Sequence, residues 1–128
     1  MSRLGVAVMR WLALWPLPWL RALGALLGWL LYALALRRRR VGDINLALCF
    51  PQASPNERRQ WLQAHFVAFA QAWLDRAWLW HASPAVVRQR LTWVGDASPI
   101  DAPEATVVFA PHFVGLDAGW TALCLRKS

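Results

Sequence analysis

The chain has 128 residues, 58% of them hydrophobic and ten of them tryptophan, and its formal net charge is +7. This length predicts one domain, and so apolar a composition excludes an ordinary soluble domain of this size. The excess of basic residues predicts an anionic partner, either a membrane surface or a phosphorylated substrate, and nucleic acid is the other usual partner of a basic chain.

The N-terminal part of the chain predicts a membrane anchor. Residues 19–36 are apolar except for Arg21. A helix of this length rises about 27 Å, just enough to cross the hydrocarbon core of a bilayer. Four arginines follow at residues 37–40, an excess over the N-terminal side that places the C-terminal side in the cytoplasm. We therefore divide the chain into an anchor with its basic cluster, residues 1–40, and the domain that follows, residues 41–128.

Two other interpretations of the apolar segment stay open. Ala33-Leu34-Ala35 resembles a signal-peptide cleavage site, although four arginines directly after it are a poor start for a translocated protein. The segment can also form a helical hairpin or a helix that lies in the membrane interface. Gly24 and Gly28 form a Gly-x3-Gly pair that lets helices pack closely, but such pairs are common in apolar helices. The arginines favour a retained anchor.

The middle of the chain has the patterns of helices. Residues 41–50 are short and mixed, and we predict a helical turn near the membrane that ends at Phe50. Ser54 and Glu57 then mark a helix start, with Ser54 as the N-cap and Glu57 closing a capping box. We predict that this helix runs to about Trp80.

This long helix is predicted to carry an apolar stripe and several tryptophans. The stripe steps by four, three and four residues, and it consists of Leu62, Phe66, Phe69 and Trp73. We predict core packing for the tryptophans, and the alternative places some of them at the membrane interface, which accommodates an apolar ring with one N–H group. They are Trp61, Trp73, Trp78 and Trp80. A second cap-then-proline start at Ser83 predicts a short helix over residues 84–91.

An apolar run near the C-terminus predicts the central strand of a sheet. Residues 106–110 contain β-branched and aromatic side chains without alternating polar ones, a pattern typical of a strand covered on both faces. Pro103 and Pro111 bound the run and argue against a helix. Residues 92–94 are a candidate edge strand, the prolines between the two strands indicate a loop, and residues 116–125 indicate a helix. The predicted fold class is therefore α/β and helix-rich, with a membrane helix before the start of an α/β domain.

His112 and Asp117 are the candidate catalytic pair. His112 follows the predicted strand, at the carboxyl edge where open α/β sheets bind ligands. Residues five apart lie on different faces of a helix, so the pair can meet only across a bend, which Gly115 supplies cheaply. Asp117 then falls in the first turn of the last helix, where the helix dipole favours a carboxylate. A carboxylate that fixes one imidazole nitrogen leaves the other to accept a proton, as in a general base.

The same pair has a structural alternative. A histidine at a strand end that is satisfied by a helix-capping aspartate has the same spacing. Because the chain contains three histidines, one match to a His-x4-acid pattern by chance is unremarkable. No cysteine and histidine cluster has the spacing of metal ligands, so we predict no metal site. Spacing alone therefore leaves both the catalytic and the structural interpretation open.

Three features together resemble the bacterial lipid A biosynthesis acyltransferases, the lauroyl and myristoyl transferases within the lysophospholipid acyltransferase superfamily. FAPHFVGLDAGWTAL resembles their active-site segment, whose hallmark His-x4-Asp/Glu is matched by His112 and Asp117. NLALCFPQASPNERR, residues 45–59, resembles the family's segment before its first cytoplasmic helix. The layout, a membrane helix followed by an arginine cluster, is also similar. The three features occur in the family's order and cover most of the chain.

The resemblance implies an acyltransferase of the bacterial inner membrane, with its catalytic part on the cytoplasmic side. Such an enzyme transfers a fatty acyl chain from acyl carrier protein to a hydroxyl of a lipid A precursor, with His112 as the base and Asp117 as the group that orients it. The resemblance implies no cofactor. The expected partners are an acyl carrier protein thioester, a glycolipid acceptor and membrane lipids, whereas no nucleic-acid-binding motif is present.

Two alternatives to this function stay open. The same dyad can serve a lysophospholipid or another glycolipid, because the dyad does not distinguish acceptors. A membrane-anchored helical module without activity is the other alternative, since members of the family are longer and their later strands and substrate-binding motifs have no counterpart here. We therefore expect residues 41–128 to be an incomplete, N-terminal part of the acyltransferase domain.

Overall fold

The chain folds into helices joined by irregular segments. The structure is a computed structural model that describes residues 2–127, with the backbone alone for Lys127. Its helices are α1 (Arg3–Ala13), α2 (Leu17–Leu34), α3 (Leu36–Cys49), α4 (Pro55–His81), α5 (Pro84–Arg90), α6 (Ser98–Asp101) and α7 (Leu116–Lys127). The chain divides into two compact units, the helical unit Trp15–Leu74 and a second unit that combines Met1–Leu14 with Asp75–Ser128. The helix-rich character that the sequence predicts is confirmed.

Helix α2 is the apolar helix that the sequence predicts, displaced by two residues toward the N-terminus. Pro16 is its N-cap and Pro18 lies in its first turn. A missing N–H costs nothing there, because the first N–H groups of a helix have no partner within it. The helix ends at Leu34, and after Ala35 the chain enters α3 directly.

Helix α3 contains the basic cluster, for which no helix was predicted. It begins at Leu36, so the arginines at residues 37–40 belong to its first turns, and it ends at Cys49 with Phe50 as its C-cap, close to the predicted end. Successive residues of a helix project about 100° apart. The four arginines therefore spread around α3 and do not form one basic face.

The Gly-x3-Gly pair brings α2 into close contact with α4. A Cβ atom added to Gly28 would lie 2.4 Å from the Cα atom of Val67, and one added to Gly24 would lie 2.6 Å from Cγ of Gln71. The amide Nε2 of Gln71 also donates a hydrogen bond to the backbone carbonyl of Arg21 at 3.0 Å. The close helix packing that this pair permits is thus present, although such a pair by itself is a weak signal in an apolar helix.

The buried side of α4 in the helical unit differs from the predicted stripe. Leu62 and Phe66 are buried as predicted, but Phe69 and Trp73 are about half exposed. Small and aliphatic residues continue the buried side instead, namely Ala70 and Leu74. The reason is the position of α2, whose Gly28 and Gly24 approach α4 at Val67 and Gln71. Phe69 and Trp73 each lie two residues further along, about 200° around the helix, and therefore face away from α2.

The start of α4 has the predicted capping box. The backbone N–H of Glu57 donates to the hydroxyl of Ser54 at 3.3 Å, and the backbone N–H of Ser54 donates to Oε2 of Glu57 at 2.8 Å. The hydroxyl of Ser54 also donates to Oε2 at 2.7 Å. These hydrogen bonds from the side chain and backbone of Ser54 stabilise the carboxylate and lower the pKa of Glu57.

The core of the second unit is small and mixes α1, the end of α4 and α5. Its buried side chains are Met9, Leu12, Ala13, Ala77, Trp78, Leu79 and Val87. Of the four tryptophans for which core packing was predicted, only Trp78 is buried, so the prediction is wrong for Trp61, Trp73 and Trp80. These three rings are exposed, as the interfacial alternative requires.

Helices α5, α6 and α7 complete the second unit. Helix α5 matches its prediction to within one residue and packs against α7. Nη2 of Arg88 donates to the backbone carbonyl of Leu125 at 3.4 Å. The single-turn helix α6 lies where a loop was predicted, and its Asp101 accepts a hydrogen bond from Nε of Arg126 at 2.8 Å. This hydrogen bond raises the pKa of Arg126.

Neither predicted strand is present in the part of the chain that the structure describes. Residues 92–94 and 106–110 are irregular and make no sheet pairing. Val107 is 95% exposed and Phe109 is 90% exposed, whereas Val108 is 49% exposed, so the apolar run is not covered on both faces. A strand needs a neighbour for its N–H and C=O groups, and no other described segment supplies one. The covered central strand and the α/β domain therefore stay predictions.

Candidate functional site

A tight turn carries His112. The backbone N–H of Phe113 donates to the carbonyl of Pro111 at 2.8 Å, which closes a three-residue turn with His112 at its centre. The side chain of His112 is exposed. A residue at the apex of so short a turn points away from the chain on either side, so the imidazole is presented to incoming groups.

Gly115 makes the bend between His112 and Asp117. The N–H of Leu116 donates to the carbonyl of Phe113 at 3.2 Å, and Gly115 has a positive φ of 91°. Residues with a Cβ atom rarely adopt this conformation, whereas glycine adopts it at little cost. The bend that the sequence predicts at this position is confirmed, and α7 starts immediately after it.

Asp117 lies in the first turn of α7, as predicted. Nε of Arg76, near the end of α4, donates a hydrogen bond to its Oδ2 at 2.5 Å, and the two side chains are each 39% exposed. The guanidinium of Arg76 also lies over the ring of Trp80, with 5.7 Å between Cζ and the ring centroid. The carboxylate is thus held by a cation that is itself held on an aromatic ring.

Sequence reasoning missed Arg76. The residue lies 41 positions before Asp117, in a helix whose predicted role was core packing. A charged pair at such a separation leaves no periodic signal. The only hint in the sequence is a basic residue among apolar ones in LDRAWLW, which is compatible with a solvent-facing position as well.

The structure does not join His112 to Asp117. Among residues 2–127, His112 takes part in no hydrogen bond, ion pair or ring contact, and the carboxylate of Asp117 is engaged by Arg76. The two residues flank the same bend, so the dyad has its local framework but not its hydrogen bond. Their catalytic roles stay a prediction.

A small cavity adjoins the carboxylate. Its volume is about 340 Å³, and its lining consists of Trp80, Ala110, Leu116, Asp117, Trp120 and Thr121. Two indole rings and one carboxylate make a largely apolar recess with a single ionised group, within the usual size range of small-molecule sites. Ala110 brings the segment before the His112 turn to its edge, so the recess lies between the turn and α7.

Two further features bear on function. Helix α2 is long and apolar enough to cross a membrane by length and composition, with a mean hydropathy of 1.4, and it lies near the N-terminus, where a signal sequence has the same character. Within the described ranges, no group of three or more histidine, cysteine, aspartate or glutamate side chains is arranged to hold a metal ion.

These observations define a helix-rich protein with one apolar N-terminal helix and a histidine turn that leads into an aspartate-bearing helix. The chain belongs to the bacterial lipid A biosynthesis acyltransferase family, which it matches over residues 1–128. A lipid A biosynthesis acyltransferase of Haemophilus influenzae is 38% identical to it over 84 residues, which cover 62% of this chain and 27% of that protein. The match thus spans about a quarter of the curated relative's length. No solved structure is significantly similar to the chain.

Proposed function

We propose that this chain carries the N-terminal, catalytic-dyad part of an inner-membrane enzyme that transfers a fatty acyl chain from acyl carrier protein to a hydroxyl of a lipid A precursor. Membership in the acyltransferase family supports the reaction class. The observation that carries the site assignment is the bend at Gly115, which sets His112 on a turn and Asp117 in the first turn of α7 beside a cavity.

His112 acts as the general base in this reaction. The imidazole takes the proton from the acceptor hydroxyl as the oxygen attacks the thioester carbonyl, and a tetrahedral intermediate forms. When the carbon–sulfur bond breaks, the imidazolium returns the proton to the departing thiolate. Asp117 fixes the tautomer of His112 and stabilises the imidazolium between these two steps. No cofactor enters the sequence of steps.

Arg76 positions the carboxylate in this proposal. It engages Oδ2 of Asp117, and Oδ1 is left to accept a hydrogen bond from the imidazole N–H. Asp117 is fixed on a helix, so in this proposal the His112 turn is the part that moves to make the contact. Arg76 acts through Asp117 and does not touch the reacting atoms.

Residues 106–110 become a covered central strand when the rest of an α/β domain pairs with them. Their β-branched and aromatic composition supports this, and so does the exposure of Val107 and Phe109, because large exposed apolar side chains tend to be covered by another segment. In that arrangement His112 lies at the carboxyl end of a strand, where α/β sheets bind their ligands. Residues 41–128 are then the first part of the acyltransferase domain.

Helix α2 anchors the enzyme in the inner membrane, with the arginines of α3 on the cytoplasmic side. The length of α2 and the position of residues 37–40 directly after it support this orientation. The side of α2 that is not covered by α4 supplies the lipid-facing surface. Its exposed large side chains are Trp19, Leu26, Trp29, Leu30, Leu31 and Leu34.

The decisive test is His112→Ala in the protein encoded by the complete reading frame. Transfer of radiolabelled acyl groups from acyl carrier protein to a lipid A precursor should fall by at least about 100-fold, the usual effect of removing a general base. Membrane association should be unchanged. His81→Ala, at the end of α4 and outside the cavity lining, is the matched control and should retain activity. Undiminished transfer in His112→Ala contradicts the role of His112 as general base. Preferential labelling of a lysophospholipid by the unaltered enzyme contradicts the proposed lipid A precursor as acceptor.

One observation favours a second candidate, a non-catalytic membrane-anchored module. Asp117 is paired with Arg76 and not with His112, which is what a purely structural aspartate would do. The same substitution separates the candidates. If His112 has only a structural role, His112→Ala and the unaltered protein should give the same result in every transfer assay.

A further inference from the structure

A groove lined by arginines lies in the helical unit. It has a volume of about 680 Å³ and is formed by the end of α2, the first half of α3 and the start of α4. The side chains that give it its character are Tyr32, Arg39, Arg40, Asp43, Arg58 and Arg59. Four guanidinium groups and one carboxylate line one recess, so the groove is strongly positive.

Two of the arginines are fixed in place. Nη1 of Arg39 donates to the backbone carbonyl of Tyr32 at 3.3 Å, and its Cζ lies 5.0 Å from the centroid of the Tyr32 ring. Nη1 of Arg58 donates to the carbonyl of Ala53 at 2.8 Å, and its side chain is only 19% exposed. Nε of Arg58 is buried without a hydrogen-bond acceptor, with Oδ1 of Asp43 3.7 Å away. A preformed wall of guanidinium groups, one of them short of an acceptor, is therefore built into the fold.

The other two arginines are available to a ligand. Arg40 and Arg59 are exposed, and in the described part of the chain neither makes a hydrogen bond or an ion pair. Pro55 and Asn56, the first residues of α4, also line the groove, so the positive end of the helix dipole adds to the charge. Planar guanidinium groups match the oxygens of phosphate in pairs, which makes this a phosphate-type site.

The location of the groove indicates which kind of molecule presents the phosphate. Tyr32 lies in the last turn of α2, and Leu36 and Arg39 follow it in the chain. If α2 lies in the membrane, the groove lies at the level of the lipid headgroups, where phosphates are concentrated. We propose that the groove binds the phosphate group of an anionic membrane lipid. This inference rests on the membrane placement in the proposed function and does not depend on acyl transfer.

Calorimetric titration of the complete protein in a zwitterionic detergent tests the inference. Dihexanoyl phosphatidic acid, dihexanoyl phosphatidylcholine and inorganic phosphate are titrated separately at one ionic strength. Phosphatidic acid should bind more tightly than the other two, because only it combines a headgroup of net negative charge with acyl chains. Equal binding of inorganic phosphate overturns the lipid assignment, and equal binding of phosphatidylcholine overturns the role of the groove's charge.

Two double substitutions distinguish binding in the groove from general electrostatic attraction between the basic protein and an anionic lipid. Arg40→Gln with Arg59→Gln should weaken phosphatidic acid binding about tenfold, since two partly solvated charge contacts are lost. Arg37→Gln with Arg38→Gln removes the same charge from α3 outside the groove lining and should change binding much less. Equal losses in the two double variants overturn the inference. Circular dichroism spectra that match the unaltered protein exclude misfolding, and Arg40→Lys with Arg59→Lys should recover part of the affinity.

Two more measurements keep this inference distinct from the proposed enzyme activity. His112→Ala should bind phosphatidic acid as the unaltered protein does, and lost binding in that variant overturns the inference. If the arginine-to-glutamine pair at residues 40 and 59 weakens binding of acyl carrier protein but not of phosphatidic acid, the groove serves an acidic protein and the lipid assignment is wrong. Either result leaves the transfer assay on His112→Ala to decide the enzyme hypothesis separately.

Discussion

Two apolar stretches of this chain have opposite surroundings. In the helical unit, α2 finds its partner in α4, and Gly24 and Gly28 let the two backbones come so close that a single added Cβ atom would collide. In the second unit, residues 106–110 carry side chains just as apolar, yet Val107 and Phe109 are almost fully exposed. The difference shows that an apolar pattern specifies a tendency to be covered, and that the cover has to come from another segment.

The largest expected effect concerns the exposed stretch. Phe109→Asp in the complete protein should lower the free energy of unfolding by about 3 kcal/mol or more, if residues 106–110 become a covered strand, because a carboxylate would be buried without a partner. Denaturant titration in detergent micelles measures the change. Ala105→Asp, one residue before the predicted strand, is the control and should have little effect. Equal, small effects of both substitutions would show that the stretch stays exposed, and the proposed sheet would have to be abandoned.

The packed stretch is tested by Gly28→Ala. The added methyl group would lie 2.4 Å from the Cα atom of Val67, a backbone atom that cannot move aside cheaply. Overpacking of this kind costs about 1–3 kcal/mol of stability. Gly119→Ala is the matched control, because a Cβ atom there meets nothing within 4 Å and alanine favours the helix. Unfolding curves that order the two variants the other way would mean that α2 does not pack on α4 as described.

The capping box at the start of α4 should contribute less. Ser54→Ala removes the N-cap and should destabilise the protein by about 1 kcal/mol at neutral pH. Hydrogen bonds from Ser54 lower the pKa of Glu57 in the folded protein. The stabilisation that these hydrogen bonds provide is therefore fully present above the pKa that Glu57 has in the unfolded chain. It is lost as the pH falls through the lower, folded-state value. The difference in stability between the unaltered protein and Ser54→Ala should therefore become smaller in acid. A difference that becomes larger there would contradict the capping box.

The smallest expected effect concerns the ion pair between Arg76 and Asp117 in the second unit. Here the candidate site depends on a single polar contact and not on close packing. Arg76→Gln should lower kcat for acyl transfer by about two- to fivefold, since the pair with Asp117 is partly exposed. KM should change little, because Arg76 acts through Asp117. Arg76→Lys should restore part of the rate, whereas a purely structural pair would leave kcat unchanged while lowering stability.

Local signals in the sequence were reliable where they describe the chain's own backbone. Ser54 and Glu57 marked the start of α4, Gly115 marked a bend that has positive φ, and Asp117 was placed in the first turn of its helix. Each depends on neighbours within a few residues, so the sequence contains all the partners. The apolar stripe of α4 was half right, because Phe69 and Trp73 fit the helical period but lie on the side of α4 away from α2.

By itself, the sequence determined the apolar helix, the caps, the glycine bend and the resemblance to the acyltransferase family, since composition and short-range stereochemistry are enough for these. Only the tertiary structure decided that α2 and α4 meet at Gly24 and Gly28, that Arg76 rather than His112 holds Asp117, and that arginines from two helices share one groove. These contacts join residues far apart in the chain, and which distant surfaces meet depends on the shape and volume of every side chain between them.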